Sequence, residues 1–158
     1  MRTFRLLFVC TGNTCRSPMA ELLARQRARA IGLEGIVVGS AGTAATEGAP
    51  ASVAARTVAQ AHGASLESHR SRRLTSDRID EVDLVVAMTE RHADQVLRLD
   101  PRAAVVLATS VLPDSHPARG SDLPDPFGAG PAEYEETWVA ISECMEALLD
   151  RLARERED

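Results

Sequence analysis

Short apolar runs alternate along this chain with segments in which apolar residues recur at helical spacing. Runs of this length are typical of buried strands, and they cover residues 4–9, 36–38, 83–88 and 103–108. Strands that alternate with helices favour parallel pairing through right-handed crossover connections. The pattern therefore predicts an α/β fold, with an open parallel sheet of about four strands and helices on both faces of the sheet.

Local signals mark where the helices begin and end. Ser17 followed by Pro18 is typical of an N-cap and a first helical position, and Gly32 is typical of a helix end. A second helix is predicted to open at Pro50 and a third near Glu90. The last predicted helix carries an apolar stripe typical of a core face, formed by Trp138, Ile141, Met145, Leu148 and Leu152.

The segments between these elements have loop composition. Residues 40–48 are mostly small, and residues 113–131 are rich in Pro, Gly and Asp, so both are predicted loops. The second loop follows the fourth predicted strand, at the sheet edge where ligands bind in open α/β folds. The charged end of the last helix, residues 151–158, is expected to fray.

Length and composition limit the classes of protein to consider. With 158 residues, 44% of them apolar and 26% charged, the chain has the profile of a soluble globular protein, and we predict one domain over residues 1–158. A net charge of -5 and only 3% aromatic residues argue against binding of nucleic acid or an anionic membrane. No apolar run approaches the roughly 20 residues that span a bilayer. Because three cysteines do not form a disulfide framework, we expect a cytoplasmic protein.

The stretch from Cys10 to Ser17 joins the first predicted strand to the first predicted helix. Backbone N–H groups in such a turn point inward, and the first turn of a helix leaves further donors unpaired, so together they form a cradle for an anion. Arg16 can add a forked contact to two phosphate oxygens. The residues predicted to bind a phosphoryl group are Thr11, Gly12, Asn13, Thr14, Cys15, Arg16 and Ser17.

Cys10 stands at the base of this predicted cradle. The helix terminus, the N–H groups and the Arg16 guanidinium all favour the thiolate, which is the nucleophilic form. Ser17 can donate a hydrogen bond to the sulfur both when it attacks and when it leaves. The alternative is an ordinary strand-to-helix turn with a half-buried cysteine. No group of His, Cys, Asp and Glu has metal-ligand spacing, so neither a metal nor a cofactor is predicted.

The segment from Cys10 to Glu21 resembles the signature of the low-molecular-weight protein-tyrosine-phosphatase family, including its protein-arginine-phosphatase branch. Residues 40–42, residues 83–88 and the Asp-Pro-Phe sequence at 125–127 fall where that family has matching segments. The resemblance implies a monomeric phosphatase that acts on phosphorylated proteins through a phosphocysteine intermediate at Cys10, with Arg16 as a catalytic residue.

The resemblance also implies an acid in the long loop. It assigns the family's general acid, which later acts as a base, to Asp125, while Asp114 and Asp122 compete for that role in the same loop. Pro126 restricts Asp125 to an extended conformation, which suits an acid in a fixed position.

Three polar residues match a family network that holds the phosphate-binding loop in shape: Asn13, Ser40 and His69. The side chain of asparagine supplies several hydrogen bonds, and its backbone tolerates positive φ. For His69, a surface histidine and a satisfied core histidine are the alternatives.

Two positions bear on the substrate. Thr11 resembles the protein-arginine-phosphatase branch, because the tyrosine phosphatases usually have a larger aliphatic residue there. Phe127 is followed by Gly128, where tyrosine phosphatases often have a second aromatic residue to enclose a phenyl ring. Phosphoarginine is therefore the favoured substrate, with phosphotyrosine as the alternative.

Two further classes of protein are alternatives for this sequence. An arsenate reductase shares the fold and the loop, but residues 88–99 contain no cysteine to relay a disulfide, and Cys144 in the last helix is interpreted as a buried structural thiol. A phosphopeptide-binding module is the less favoured class, because binding alone needs no nucleophile and this sequence has Cys10.

Cys15 has two interpretations. It either packs beneath the loop or forms a reversible disulfide with Cys10 that makes the enzyme redox-sensitive.

Overall fold

The computed structural model of the chain describes residues 2–157. A single parallel sheet of four strands lies at its centre, in the order β2-β1-β3-β4. The strands are β1 (Phe4–Cys10), β2 (Ile36–Gly42), β3 (Leu84–Ala87) and β4 (Val105–Leu107). The open parallel sheet predicted from the alternating pattern is therefore confirmed.

Helices cover both faces of the sheet. They are α1 (Arg16–Ala30), α2 (Val53–Ala61), α3 (Ser76–Asp80), α4 (Glu90–Leu99) and α5 (Pro131–Glu157), with a 3-10 helix at Ala108–Val111. Successive side chains of a strand point to opposite faces. Leu6 and Phe8 of β1 accordingly join the larger core cluster with α1, α2 and α5, while Leu7 and Val9 join a smaller cluster with α3 and α4.

The first helix begins earlier than the capping signal indicated. Cys15 is its N-cap, without a side-chain cap hydrogen bond, and Ser17 lies within the first turn. The prediction of Ser17 as N-cap was therefore wrong, because its hydroxyl contacts Cys10 and Asn13 instead of a backbone N–H of its own helix. The predicted end is confirmed: the helix stops at Ala30, and Gly32 follows with a φ of 68°.

Two other element boundaries also differ from those predicted from the sequence. The second helix opens at Val53 and not at Pro50, because the Ser52 hydroxyl accepts a hydrogen bond from the N–H of Ala55 and acts as the cap. Strand β2 continues to Gly42, which makes Ser40 a strand residue and not part of a loop. Parallel pairing with β1 extends it, since Gly42 lies beside Cys10 in the register.

The long loop and the last helix agree with the sequence pattern in most respects. The chain has neither helix nor strand from residue 112 to residue 130, and the predicted stripe of α5 is buried. Helix α5 remains regular through Glu157, so fraying of residues 151–157 is not observed, and Asp158 lies outside the described residues. The short helix α3 and the 3-10 helix had no recognised sequence signal. No helix within residues 2–157 has the length and apolar character needed to cross a membrane.

Candidate active site

The loop after β1 surrounds a small cavity at the carboxyl edge of the sheet. Cys10 is the last residue of β1, and Arg16 is the first of α1, so the phosphate loop (residues 10–17) links a strand end to a helix N-terminus as predicted. The cavity has a volume of about 210 Å³. Its lining consists of Cys10, Thr11, Gly12, Thr14, Cys15, Arg16, Asp125 and Phe127.

The sulfur of Cys10 lies 2.9 Å from the Ser17 hydroxyl oxygen. That oxygen also accepts a hydrogen bond of 2.8 Å from the side-chain amide of Asn13. Because the Asn13 donor occupies a lone pair of Ser17, the hydroxyl hydrogen is free to point at the sulfur. The geometry suits a sulfur that carries negative charge, as a nucleophile or as a leaving group.

Asn13 holds the phosphate loop from within. It is fully buried and has a φ of 56°, the left-handed conformation that asparagine tolerates better than most residues. Its amide donates to Ser17 and, over 2.9 Å, to Ser40, while its side-chain oxygen accepts from the N–H of Arg72. Its backbone carbonyl accepts a 2.7 Å hydrogen bond from Nε2 of His69. Asn13 thus contacts both Ser40 and His69, the two residues assigned with it to one network from the sequence.

Strand β2 supports the same loop from the side. The Ser40 hydroxyl donates to the carboxylate of Glu21 over 2.7 Å, which extends the network to α1. At Gly42, a Cβ would lie 2.4 Å from the carbonyl oxygen of Thr11 and 2.9 Å from the backbone nitrogen of Asn13. Only glycine fits at this close approach, so Gly42 lets β2 pack directly against the phosphate loop.

Arg16 connects the phosphate loop to the long loop after β4. Its side chain is only 5% exposed, and one guanidinium nitrogen donates to the Leu123 carbonyl over 3.0 Å. Another guanidinium nitrogen lies 3.6 Å from a carboxylate oxygen of Asp125. Since Leu123 is itself bonded to the Met88 carbonyl after β3, these contacts fix where the long loop crosses the cavity.

Among the three aspartates considered as an acid, only Asp125 lines the cavity. Its carboxylate is about half exposed and accepts a hydrogen bond from the N–H of Phe127. Asp122 instead accepts from the N–H of Glu90 at the start of α4, and Asp114 forms an exposed ion pair with Arg119. The side chain of Phe127 stands at the cavity rim and is largely exposed.

The thiol of Cys15 contacts two hydroxyl groups beneath the loop. Its sulfur lies 3.2 Å from the Tyr134 hydroxyl and 3.3 Å from that of Ser52. Burial, with the Cys15 contact, raises the pKa of Tyr134 to about 12, so this phenol stays neutral at physiological pH. Cys10, Cys15 and Cys144 are all free thiols.

Cys144 lies in the middle of α5 and does not line the cavity. It is buried in the larger core cluster, and burial raises the pKa of its thiol to about 12. A neutral thiol in such surroundings behaves as a small apolar side chain. The interpretation of Cys144 as a structural residue is therefore confirmed.

One residue that contacts the cavity lining was not recognised from the sequence. His92 lies in the first turn of α4, and its Nε2 is 2.8 Å from the Thr11 hydroxyl. Burial and the nearby Arg16 guanidinium lower the pKa of His92 to about 4. A histidine just after a strand that neighbours β1 was the available signal, since both strands end at the same edge of the sheet.

The cavity is large enough for one phosphoryl group. Four features meet there: a buried thiol at a strand end, a helix N-terminus, a buried arginine and an aspartate. Within residues 2–157, no group of three or more His, Cys, Asp or Glu side chains could hold a metal ion. The fold and the site together define the class of cysteine-dependent phosphatases, in which a thiolate takes up the phosphoryl group.

The comparisons with known proteins identify the family. The family model described as "Low molecular weight phosphotyrosine protein phosphatase" matches residues 5–158. The chain belongs to this family and is a cysteine-dependent protein phosphatase, as the resemblance of its loop implied.

Similar proteins with given activities fall on two branches of the family. A protein-arginine-phosphatase of Geobacillus stearothermophilus is 41% identical over 150 residues, covering 95% of this chain and 94% of the relative. The low molecular weight protein-tyrosine-phosphatase Etp of Escherichia coli K12 is 34% identical, covering 94% and 95%. A solved YwlE arginine phosphatase mutant with a phosphorylated active-site serine superposes with a TM-score of 0.89 at 33% identity, covering 98% of this chain and 99% of that one.

Proposed function

We propose that this phosphatase removes the phosphoryl group from phosphoarginine residues of proteins. The observation that carries the proposal is the cavity in which Cys10, Arg16 and Asp125 face one space, with the Thr11 hydroxyl beside the nucleophile. Support also comes from the similarity to a protein-arginine-phosphatase along nearly the whole chain.

In the first step, the Cys10 thiolate attacks phosphorus and forms a P–S bond while the P–N bond to the guanidine breaks. The electron pair of the broken bond takes a proton from the carboxylic acid of Asp125, so the arginine side chain leaves in its stable form. Arg16 and the N–H groups of the phosphate loop bind the charged phosphoryl oxygens.

In the second step, the roles of acid and base are exchanged. The Asp125 carboxylate takes a proton from water, and the water oxygen forms a P–O bond as the P–S bond breaks. The electron pair returns to the Cys10 sulfur, which Ser17 stabilises through its hydroxyl hydrogen, 2.9 Å away between heavy atoms. Inorganic phosphate then leaves and the enzyme is restored.

The choice of phosphoarginine depends on Thr11 and Phe127. Thr11 is an exposed residue next to the nucleophile, and its hydroxyl offers a polar partner to a guanidinium, which carries several N–H donors. Phe127 supplies a single ring at the cavity rim, so a flat phenyl group would meet only one aromatic wall.

Phosphotyrosine is the second candidate. Phe127 is 73% exposed at the cavity mouth, where it could pack against a phenyl ring. The similar Escherichia coli protein is named a protein-tyrosine-phosphatase. The chemistry of Cys10, Arg16 and Asp125 would be the same, with a P–O bond broken in place of P–N.

We also propose an oligomeric state, a location and a class of partner for the enzyme. We propose that residues 1–158 act as one monomeric domain in the cytoplasm, where Cys10 stays reduced. The proposed substrates are phosphorylated proteins, without nucleic acid, membrane or cofactor as a partner. A Cys10–Cys15 disulfide that forms under oxidation would switch the enzyme off reversibly.

The proposed substrate is tested with two peptides of identical sequence, one with phosphoarginine and one with phosphotyrosine. We expect kcat/KM to be higher for the phosphoarginine peptide, and Cys10→Ser to hydrolyse neither. A higher value for phosphotyrosine would contradict the substrate assignment but keep the phosphatase mechanism. Hydrolysis of either peptide by Cys10→Ser at the wild-type rate would overturn the role of Cys10.

A further inference from the structure

His92 occupies a position next to the proposed chemistry but has no part in it. The side chain is 3% exposed, although Thr11, whose hydroxyl it contacts, lines the cavity. Its Nδ1 lies 3.0 Å from the hydroxyl of Thr89, which is the N-cap of α4. The imidazole thus bridges two hydroxyl groups, one at a helix start and one beside the nucleophile.

The imidazole of His92 is neutral at physiological pH, because burial and the Arg16 charge lower its pKa to about 4. A neutral imidazole has one N–H donor and one lone-pair acceptor. Both are used here, since each ring nitrogen is within hydrogen-bonding distance of one threonine hydroxyl. The ring therefore receives a hydrogen from one of these hydroxyls and gives a hydrogen to the other.

This bridge restricts Thr11. A hydroxyl at an exposed position is otherwise free to rotate and to donate to any acceptor, including a phosphoryl oxygen that every phosphate ester presents. When Nδ1–H of the ring donates to Thr89, Nε2 accepts the Thr11 hydroxyl hydrogen, which fixes that hydrogen on the ring and leaves the Thr11 oxygen as an acceptor. An oriented acceptor loses less entropy when it binds an N–H donor.

We propose that His92 is a positioning residue that orients the Thr11 hydroxyl and thereby sets the preference for a guanidinium leaving group over a phenolate. The inference rests on the proposed function, because it explains how that substrate would be selected. A guanidinium offers N–H donors to the oriented lone pair, whereas a phenolate oxygen offers none.

Two substitutions separate the two contacts of the ring. His92→Gln places an amide near the position of Nε2 and retains a partner for Thr11. His92→Asn places its amide near Nδ1 and retains only the Thr89 contact. We expect His92→Asn to lower the phosphoarginine-to-phosphotyrosine ratio of kcat/KM by roughly tenfold, the order of effect of losing one hydrogen bond to a charged group. His92→Gln should keep the ratio near the wild-type value.

A role confined to packing predicts a different result. Both variants would then lower kcat/KM for the two peptides in parallel, and an unchanged ratio would overturn the proposal. An equal fall of the ratio in both variants would overturn it as well, since the Nε2 contact would not matter. In a Thr11→Val background, His92→Asn should leave the ratio unchanged, and a further fall there would show that His92 does not act through Thr11.

Substitution of Thr89 provides a second route if His92→Asn does not fold. Thr89→Val removes the hydroxyl that fixes the ring, while Thr89→Ser keeps it, so only the valine variant should lower the ratio. An unchanged ratio in a folded Thr89→Val protein would contradict the proposal. The wild-type ratio alone reports on the proposed substrate, so failure of that assignment is distinguishable from failure of the His92 inference.

Discussion

The two loops that meet at the cavity are held in very different ways. In the phosphate loop, Asn13 and Ser17 are fully buried and hydrogen-bonded to each other. Asn13 also donates a hydrogen bond to Ser40, and the Ser17 hydroxyl contacts the sulfur of Cys10. In the loop after β4, here called the acid loop (residues 112–130), Asp125 and Phe127 are about half and three-quarters exposed. Buried Leu123 holds the acid loop next to the cavity, because its N–H donates to the Met88 carbonyl and its own carbonyl accepts from Arg16.

The difference follows from what each loop binds. A phosphoryl group has one shape and charge in every substrate, so a cradle whose donors are fixed in advance requires no reorganisation during the reaction. The leaving group differs between substrates, and the acid must reach an atom of the leaving group. An acid that is about half exposed suits that task, because its open side can meet leaving groups of different shape.

The largest expected effect comes from removing the acid. Asp125→Asn should lower kcat by about 10² to 10⁴, the usual contribution of general acid catalysis, because the leaving group would depart without a proton. The measurement is kcat with the preferred phosphopeptide. Asp122→Asn and Asp114→Asn are matched controls in the same loop, and a loss of similar size in either would contradict the assignment to Asp125.

Breaking the link between the two loops should have the next largest effect. Arg16→Lys keeps the charge but loses the forked contact and the hydrogen bond to Leu123, so kcat/KM should fall by about 10² to 10³. Arg151→Lys, at an exposed pair with Glu155 on α5, is the control. Wild-type activity in Arg16→Lys would mean that a point charge is enough and that the link is dispensable.

Removing the hydrogen bonds that support the phosphate loop should have a smaller effect on activity than either change above. Asn13→Ala removes the amide contacts, so we expect the free energy of unfolding to fall by about 1–3 kcal/mol and kcat by roughly tenfold. Asn13→Gly is the matched variant, because glycine accepts the φ of 56° without strain but cannot make the hydrogen bonds. If Asn13→Gly behaves as wild type by chemical denaturation and kinetics, the network has no role and only the backbone conformation matters.

Acidification should give the smallest effect, through His92 beside both loops. Its pKa of about 4 in the folded protein is below the ordinary value of 6.5, so the unfolded chain binds this proton first as pH falls. The free energy of unfolding should therefore decrease by about 2 kcal/mol between pH 7 and pH 5 through this group. His92→Gln should lose that part of the pH dependence, and an identical pH profile in the variant would refute this expectation.

The sequence predicted the parts of the molecule that depend on local pattern. Alternating runs were enough for the four-stranded sheet, and the strand-turn-helix context was enough to place Cys10 and Arg16 on either side of one loop. Ser17 shows the limit of such rules, because a serine before proline indicates a cap until a tertiary contact with Cys10 takes its hydroxyl.

The remaining contacts depend on residues distant in sequence. His92 meets Thr11 because β3 lies beside β1 in the sheet, and Tyr134 meets Cys15 because α5 packs beneath the loop. The Tyr134 contact has no local signal in the sequence, and the position of His92 after a strand becomes informative only once the strand order is known. Gly42 is similar: its neighbour Thr11 is close only after β2 pairs with β1.

The most direct test of this account is to trap the phosphoryl group on the enzyme. Wild-type protein is mixed with excess phosphoarginine peptide and stopped in denaturant within the first turnover, and its fragments are then analysed by mass spectrometry. We expect one added phosphoryl group on the fragment at Cys10, none at Cys15 or Cys144, and none in Cys10→Ala. Steady turnover without a phosphorylated Cys10, or a phosphoryl group on another side chain, would contradict it.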